Sequence, residues 1–287
     1  MKKYLSLVKF AHTVFAMPFA LLGYFLGVQL PDRHFDWKLL LLVVLCMVFA
    51  RNAAMAFNRY LDRNIDKANP RTATREIPAG VISPQSALWF VILNAAGFIA
   101  TTWFINSLCF LLSPVALLVI LGYSFTKRFS ALCHLVLGMG LALAPVGAYI
   151  AVTGSFATLP VLYGFAVLFW VSGFDIIYAL QDDDFDRSMQ LHSIPSVFGR
   201  EKALRLSEVL HLLCAVCILV ATWVAQGSYP QVNWLAWGAA LFFTGSLVYQ
   251  HLLVKPNDLS KVNLAFFTTN GVASLVFGGL TIVDLLF

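Results

Sequence analysis

The chain has 287 residues, of which 60% are hydrophobic and only 11% charged, against roughly 25% charged residues in an average soluble domain, so a soluble globular fold is excluded. Its net charge of +5 is not gathered in any nucleic-acid-binding motif and reads instead as charge facing anionic lipid headgroups. Apolar stretches of at least about 18 residues are transmembrane candidates. The sequence predicts nine, in one bundle spanning residues 1–287: near 10–30, 37–57, 86–105, 108–125, 131–152, 160–181, 203–225, 233–253 and 263–286. The first follows Lys2 and Lys3 but is too long for the apolar stretch of a secretory leader and lacks a small-x-small cleavage site, so it is read as a retained helix.

Basic residues fix the expected orientation. With the N-terminus on the cytoplasmic side, the inner loops carry Arg59 to Arg75, Lys127 with Arg128, Arg187 to Lys202, and Lys255 to Lys261. The outer loops carry only Arg33 and Lys38. This is the asymmetry that the positive-inside rule describes. Cys46, Cys109, Cys133, Cys214 and Cys217 all fall in apolar stretches. Cys214 and Cys217 have C-x-x-C spacing but no second ligand pair, so they read as packing residues.

Two long polar loops, 59–85 and 182–202, follow the second and sixth predicted helices on the same expected side. Long loops between packed helices tend to carry function. Asn58, Asp62 and Asp66 are spaced i, i+4, i+8, which places them on one helical face, with Arg51 seven residues earlier on the same face. The second loop opens on Asp182, Asp183, Asp184 and Asp186, preceded by Gln181 and, deeper in the apolar run, Asp175. An ionisable group inside a membrane helix costs about 2.5–3.5 kcal/mol on insertion scales, so it faces a cavity or a partner.

Four carboxylates within five residues repel one another unless neutralised, and carboxylates with water suit magnesium. Lys67, Arg71, Arg75, Lys127, Arg128 and Arg187 lie nearby in sequence. Carboxylates, metal and bases together would clamp a diphosphate, and a diphosphate at a membrane surface implies a lipid tail. Of the remaining histidines, His134, His211 and His251 lie in or beside apolar helices, and only His211 has an acid one turn away, Glu208.

These residues resemble the UbiA-type intramembrane prenyltransferases, in the 4-hydroxybenzoate polyprenyltransferase-like branch. The family signatures N-D-x-x-D-x-x-x-D and D-x-x-x-D read here as Asn58 through Asp62 to Asp66, and Asp182 to Asp186. Arg51, the run Arg71 to Arg75 with Pro78 and Gly80, Tyr123 to Arg128, and Asp175 to Gln181 also match, so the resemblance covers residues 51–199. It implies an all-α bundle with a cytoplasmic active site, in a bacterial inner membrane. The implied reaction is Mg2+-dependent transfer of a polyprenyl group from polyprenyl diphosphate to 4-hydroxybenzoate or a carboxylated dihydroxynaphthoate, in ubiquinone or menaquinone synthesis.

The resemblance further implies metal ligation by Asn58, Asp62, Asp66, Asp182 and Asp186. Diphosphate would be bound by Arg51, Lys67, Arg71, Arg75, Lys127 and Arg128, and Asp175, Tyr178 and Tyr123 would be catalytic. His12 and His192 fall on the acceptor or phosphate side. Membrane lipid is the expected surrounding, with no nucleic acid and no obligate protein partner. The chain departs from the family at Arg59, where an acid is usual, at His192 before Ser193, where lysine is usual, and at Lys9-x2-His12, where a basic-x-x-Lys-Pro segment is usual. Two alternatives stand beside this reading: a cation-coupled secondary transporter, and a UbiA-type enzyme acting on haem, chlorophyllide or a glyceryl lipid.

Overall fold

The computed structural model describes residues 2–8 and 15–287, so the expectation for His12 lies outside the described residues. Among them there is no strand, only helices and one isolated bridge between Lys255 and Asp258. In chain order the helices are α1 Lys2–Leu7, α2 Met17–Val28, α3 Trp37–Leu61, α4 Arg63–Ala68, α5 Pro84–Trp103, α6 Ser107–Thr126, α7 Cys133–Thr153, α8 Thr158–Ala179, α9 Asp183–Ser188, α10 Ile194–Phe198, α11 Arg200–Ser228, α12 Trp234–Leu253 and α13 Asn270–Leu286. The two polar loops predicted at 59–85 and 182–202 are therefore partly helical, holding α4 in the first and α9 and α10 in the second.

Among the described residues, seven helices are long and apolar enough to cross a membrane: α3, α5, α6, α7, α8 with its extension to Ser188, α11, and α13 with the turn before it. Two predicted spans are not among these seven. The described α2 has 12 residues, about 18 Å at 1.5 Å per residue. In α12 the two tryptophans, Tyr249, Gln250 and His251 dilute the apolar run. The lipid-facing surface is unmistakable: Leu111, Leu118, Leu212, Trp223, Leu241 and Val248 are exposed, a patchwork that water would not tolerate at this extent. Trp37, Trp103 and Trp234 stand exposed at helix ends, where amphipathic rings anchor a membrane boundary.

Local sequence explains the ends. Asp36 caps α3 by accepting from the Lys38 backbone N–H at 2.8 Å, Ser83 and Pro84 open α5, and Gly154 closes α7 in the left-handed region at φ 71°. Asn106 caps α6 and also donates to the Ile150 carbonyl of α7, at 2.9 Å.

The central helix is α8, packed between α7 and α11. Phe19, Trp170, Phe243 and Phe277 meet with ring centroids 5.3–6.0 Å apart and tie α2, α8, α12 and α13 together. In lipid, close helix packing relies on small residues. A side chain added at Gly138 would come within 2.4 Å of the Leu168 carbonyl oxygen and Ser172 Oγ, so α7 and α8 are nearly in backbone contact there. Gly138→Val is expected to lower stability by about 1–3 kcal/mol through overpacking, read as a drop in thermal midpoint in detergent. An unchanged midpoint would show slack between the two helices.

A π-helical turn at Leu264–Thr269 precedes α13. The wholly buried Asn270 stabilises it by donating to the Phe266 carbonyl at 2.9 Å, while its Oδ1 accepts from Trp170 Nε1 and Gln250 Nε2 at 2.7 and 2.8 Å. This buried amide network fixes Phe266 against Tyr178 in a stack with centroids 4.1 Å apart. Turns of this kind are frequent at functional sites.

Candidate active site

The ends of α3, α6 and α8 meet at one end of the bundle. At the first, Asp62 caps α3 and leads directly into α4, yet the i to i−4 bonding continues. The Asp62 N–H donates to the Asn58 carbonyl at 2.9 Å and the Asp66 N–H to the Asp62 carbonyl at 2.7 Å. The spacing expected from sequence thus survives the helix break. Asn58 Nδ2 donates to Asp62 Oδ2 at 3.2 Å.

Asp62 is almost fully buried and receives Lys127 Nζ at 2.7 Å and Arg128 Nη2 at 3.1 Å, both from the end of α6. Asp66 receives Arg75 Nη1 at 2.6 Å, while its Oδ2 is buried with no partner among the described residues. Arg59 is also buried, with Nε and Nη1 unpartnered among the described residues.

The second acidic end begins where α8 tightens into a single 3-10 turn at Leu180–Asp182 before α9. Asp182 is bridged to the first loop: Arg71 Nε donates to its Oδ1 at 2.8 Å, Arg71 Nη2 contacts Oδ2, and Asn69 Nδ2 donates to Oδ1 at 3.0 Å. Arg71 Nη1 also donates to the Tyr178 hydroxyl at 3.0 Å, with the guanidinium 5.3 Å from that ring's centroid. Burial works against the Arg71 charge, but the bond and attraction to Asp182 more than offset it and raise its pKa above the ordinary guanidinium value. Asp186 has Ser193 and Lys127 as neighbours.

Two acids of the cluster serve another purpose. Asp183 is buried and takes a two-pronged bond from Arg200, Nε to Oδ2 and Nη2 to Oδ1, both 2.8 Å. Asp184 is exposed, with Arg200 at 3.3 Å and Arg187 at 3.8 Å. Arg200, at the start of α11, therefore neutralises this pair from within the protein. Lys67 is exposed and makes no ion pair among the described residues. His192 is exposed, and its backbone N–H donates to the Lys127 carbonyl at 2.7 Å.

Deeper in the bundle, Asp175 Oδ2 lies 2.7 Å from His134 Nδ1, on the first turn of α7. Sequence reasoning gave His134 no role, and nothing local marks it, since its partner is 41 residues away. The only general signal is that a polar ring in an apolar helix needs a partner. His211, which had Glu208 nearby in sequence, bonds instead to His251 at 2.9 Å and to the Trp170 carbonyl. Asn69 and Arg200 were likewise not singled out. All five cysteines are free.

Beneath the acidic ends, α3, α6 and α7 enclose an apolar cavity of about 360 Å³, lined by residues such as Met47, Ile120, Leu137 and Leu141. Arg51 and Tyr123 also line it, and Arg51 is the only charged residue among the described lining. Arg51 Nε is buried and unpartnered among the described residues. The arrangement is a charged mouth over an apolar chamber, suited to a ligand with an anionic head and a hydrocarbon tail.

Known proteins resemble this chain in sequence and in fold. The chain is 35% identical over 258 residues to the 4-hydroxybenzoate octaprenyltransferase of Aeromonas salmonicida (strain A449), a match covering 90% of this chain and 86% of that one. Among solved structures, the apo UbiA homolog from Aeropyrum pernix K1 superimposes with a TM-score of 0.84 at 30% identity, covering 95% of this chain and 98% of that one. The UbiA homolog from Archaeoglobus fulgidus bound to GPP and Mg2+ has the same fold, with a TM-score of 0.75 at 21% identity, covering 99% of this chain and all of that one. Residues 16–272 match the UbiA prenyltransferase family. With its acidic ends, bridging bases and apolar chamber, the chain belongs to the UbiA prenyltransferase family.

Proposed function

We propose that this prenyltransferase moves a polyprenyl group from polyprenyl diphosphate to a small aromatic acceptor, 4-hydroxybenzoate or a carboxylated dihydroxynaphthoate, with Mg2+, for quinone synthesis. The observation that carries the reading is the bridge between the two acidic ends. Arg71 reaches from the first loop to Asp182, and Lys127 and Arg128 reach from a third helix to Asp62, above an apolar cavity. The Aeromonas salmonicida relative named for 4-hydroxybenzoate favours that acceptor.

The residues fit magnesium. Asp66 Oδ2 is a buried anionic oxygen with no partner among the described residues, a position that calls for a cation. No three His, Cys, Asp or Glu side chains among the described residues converge on one point. Substrate phosphate and water would therefore have to complete the shell of an ion held here. Asn58, Asp62, Asp66, Asp182 and Asp186 would hold it, and it would supply charge neutralisation to the leaving diphosphate.

The protein's own groups do the rest. Arg71, Arg75, Lys127 and Arg128 are held at the mouth by carboxylates and can turn to phosphate oxygens when a diphosphate arrives. Tyr178, flattened against Phe266, and Tyr123 in the cavity wall offer ring faces to the allylic carbon as positive charge develops. The acceptor ring attacks that carbon, and Asp175 takes the proton released. The family assignment leaves no place for the transporter alternative.

We further propose nine spans, with α2 and α12 completing the seven, an inside N-terminus and a bacterial inner membrane. The inward bias of Lys and Arg supports this, as does the position of the exposed tryptophans at helix ends remote in sequence from the acidic motifs.

The reaction is tested with the full chain in detergent micelles, geranyl diphosphate and each acceptor in turn, with magnesium or with a chelator. Product with one acceptor, absent under chelation and restored by magnesium, is the expected result. Chelator-resistant turnover would remove the metal, and binding of geranyl diphosphate without transfer to either acceptor would remove the acceptor class.

A further inference from the structure

The His134–Asp175 pair has a direction. One ring nitrogen, Nδ1, lies 2.7 Å from Asp175 Oδ2, and the other, Nε2, lies 3.3 Å from the backbone nitrogen of Ile194 at the start of α10. A backbone N–H can only donate, so Nε2 is the acceptor. A neutral imidazole accepting at Nε2 carries its proton on Nδ1 and donates it to the carboxylate. The partners of the two nitrogens place a ring proton on Nδ1, facing the carboxylate.

The pair is also held in place. His134 is 3% exposed, which leaves the ring no alternative partner in solvent. Ser172 Oγ donates to the His134 carbonyl at 3.1 Å, and Gly138, one turn along α7, permits the near-contact with α8 that brings the ring within reach. Asp175 keeps 24% of its side chain exposed, and its second oxygen, Oδ1, makes no hydrogen bond among the described residues. A half-satisfied carboxylate with one oxygen anchored and one free is a base in a fixed orientation.

We infer that His134 is a positioning residue for prenyl transfer: by donating to Oδ2 it fixes the orientation of the Asp175 carboxylate and leaves Oδ1 free to accept the acceptor's proton. The inference rests on the reading of Asp175 as the base. In the step it serves, the allylic C–O bond breaks and its electron pair leaves with diphosphate. The acceptor ring carbon bonds to the allylic carbon, and the ring C–H pair returns to the aromatic system as the proton passes to Oδ1. The role resembles that of a third group orienting a catalytic pair, here with the imidazole as the orienting member.

Three variants of the full chain test it in micelles, with geranyl diphosphate, 4-hydroxybenzoate and magnesium. Leucine at 134 cannot donate, whereas glutamine has an amide NH2 to donate and a carbonyl to accept and cannot carry charge, so it can mimic the neutral ring. His134→Leu is expected to lower kcat of the folded fraction about tenfold to a hundredfold, as losses of supporting contacts do, with KM for geranyl diphosphate unchanged and the thermal midpoint lowered by the orphaned Ile194 N–H. His134→Gln recovers most of the loss.

Native kcat in His134→Leu overturns the inference. So does a His134→Gln as slow as His134→Leu, which would mean that the charge or bulk of the ring is what counts. A loss of turnover in His134→Leu that only matches the unfolded fraction, with native kcat in the folded protein, assigns the residue to packing and overturns it equally. Asp175→Asn separates the two readings. Native turnover there removes Asp175 as the base and the inference with it, whereas an inactive Asp175→Asn beside a native-like His134→Leu removes His134 alone.

Discussion

Asp62→Asn is expected to reduce kcat/KM for prenyl diphosphate by on the order of 10²–10³, the scale at which single preorganised charge-stabilising groups act. Asp62 is nearly inaccessible yet touches three groups at once: Asn58, Lys127 and Arg128. The substitution keeps shape and removes charge. It takes away a carboxylate suited to magnesium and frees two cations to repel that ion.

The magnesium dependence of the initial rate distinguishes these effects. Loss of a ligand moves the half-saturating magnesium concentration upward, while binding of the diphosphate by Lys127 and Arg128 persists. Asp182→Asn is expected to follow the same pattern through Arg71 and Asn69. Native kcat/KM in both variants would place the diphosphate elsewhere in the molecule.

Asp183→Ala is expected to behave in the opposite way, costing stability rather than chemistry. The neighbour of Asp182 is buried, and both its oxygens are taken by Arg200 at 2.8 Å, which ties the second acidic loop to the first turn of α11. Breaking a buried, two-pronged ion pair costs about 3–5 kcal/mol. Arg200 keeps about a third of its side chain exposed, so solvent recovers part of that and about 2–3 kcal/mol is expected. Thermal or denaturant unfolding in detergent reads the loss, and kcat of the fraction that stays folded should remain near native. A kcat collapse without loss of stability would return Asp183 to the catalytic group.

The contrast between Asp182 and Asp183 marks the limit of what spacing can show. Adjacent aspartates are chemically identical in a sequence, but Asp182 ends the 3-10 turn and Asp183 opens α9, so their side chains leave the backbone in different directions. One therefore faces the first loop and the other faces α11. The i, i+4 rule did transfer, because hydrogen bonding carries on from α3 through Asp62 into α4. It was enough to place Asn58, Asp62 and Asp66 on one face, whereas Arg71, Arg75, Lys127 and Arg128 were expected from their nearness in sequence and from the family resemblance. The nine-span expectation was less complete for α2 and α12, where a short described helix and a run diluted by polar and aromatic residues weaken the apolar signal.

By itself the sequence determined the membrane character, the all-helical class, the two acidic motifs and the family they resemble, since each is written in local composition or in spacing along one helix. Only the tertiary structure decided which acid meets which base: Asp62 with Lys127 and Arg128, Asp182 with Arg71, Asp183 with Arg200, and Asp175 with His134. Those partners lie on different helices or loops, 17 to 111 residues apart. Their meeting depends on how closely the helices pack, at sites such as Gly138 on α7, and helix packing leaves no periodic signature in the chain that could be read in advance.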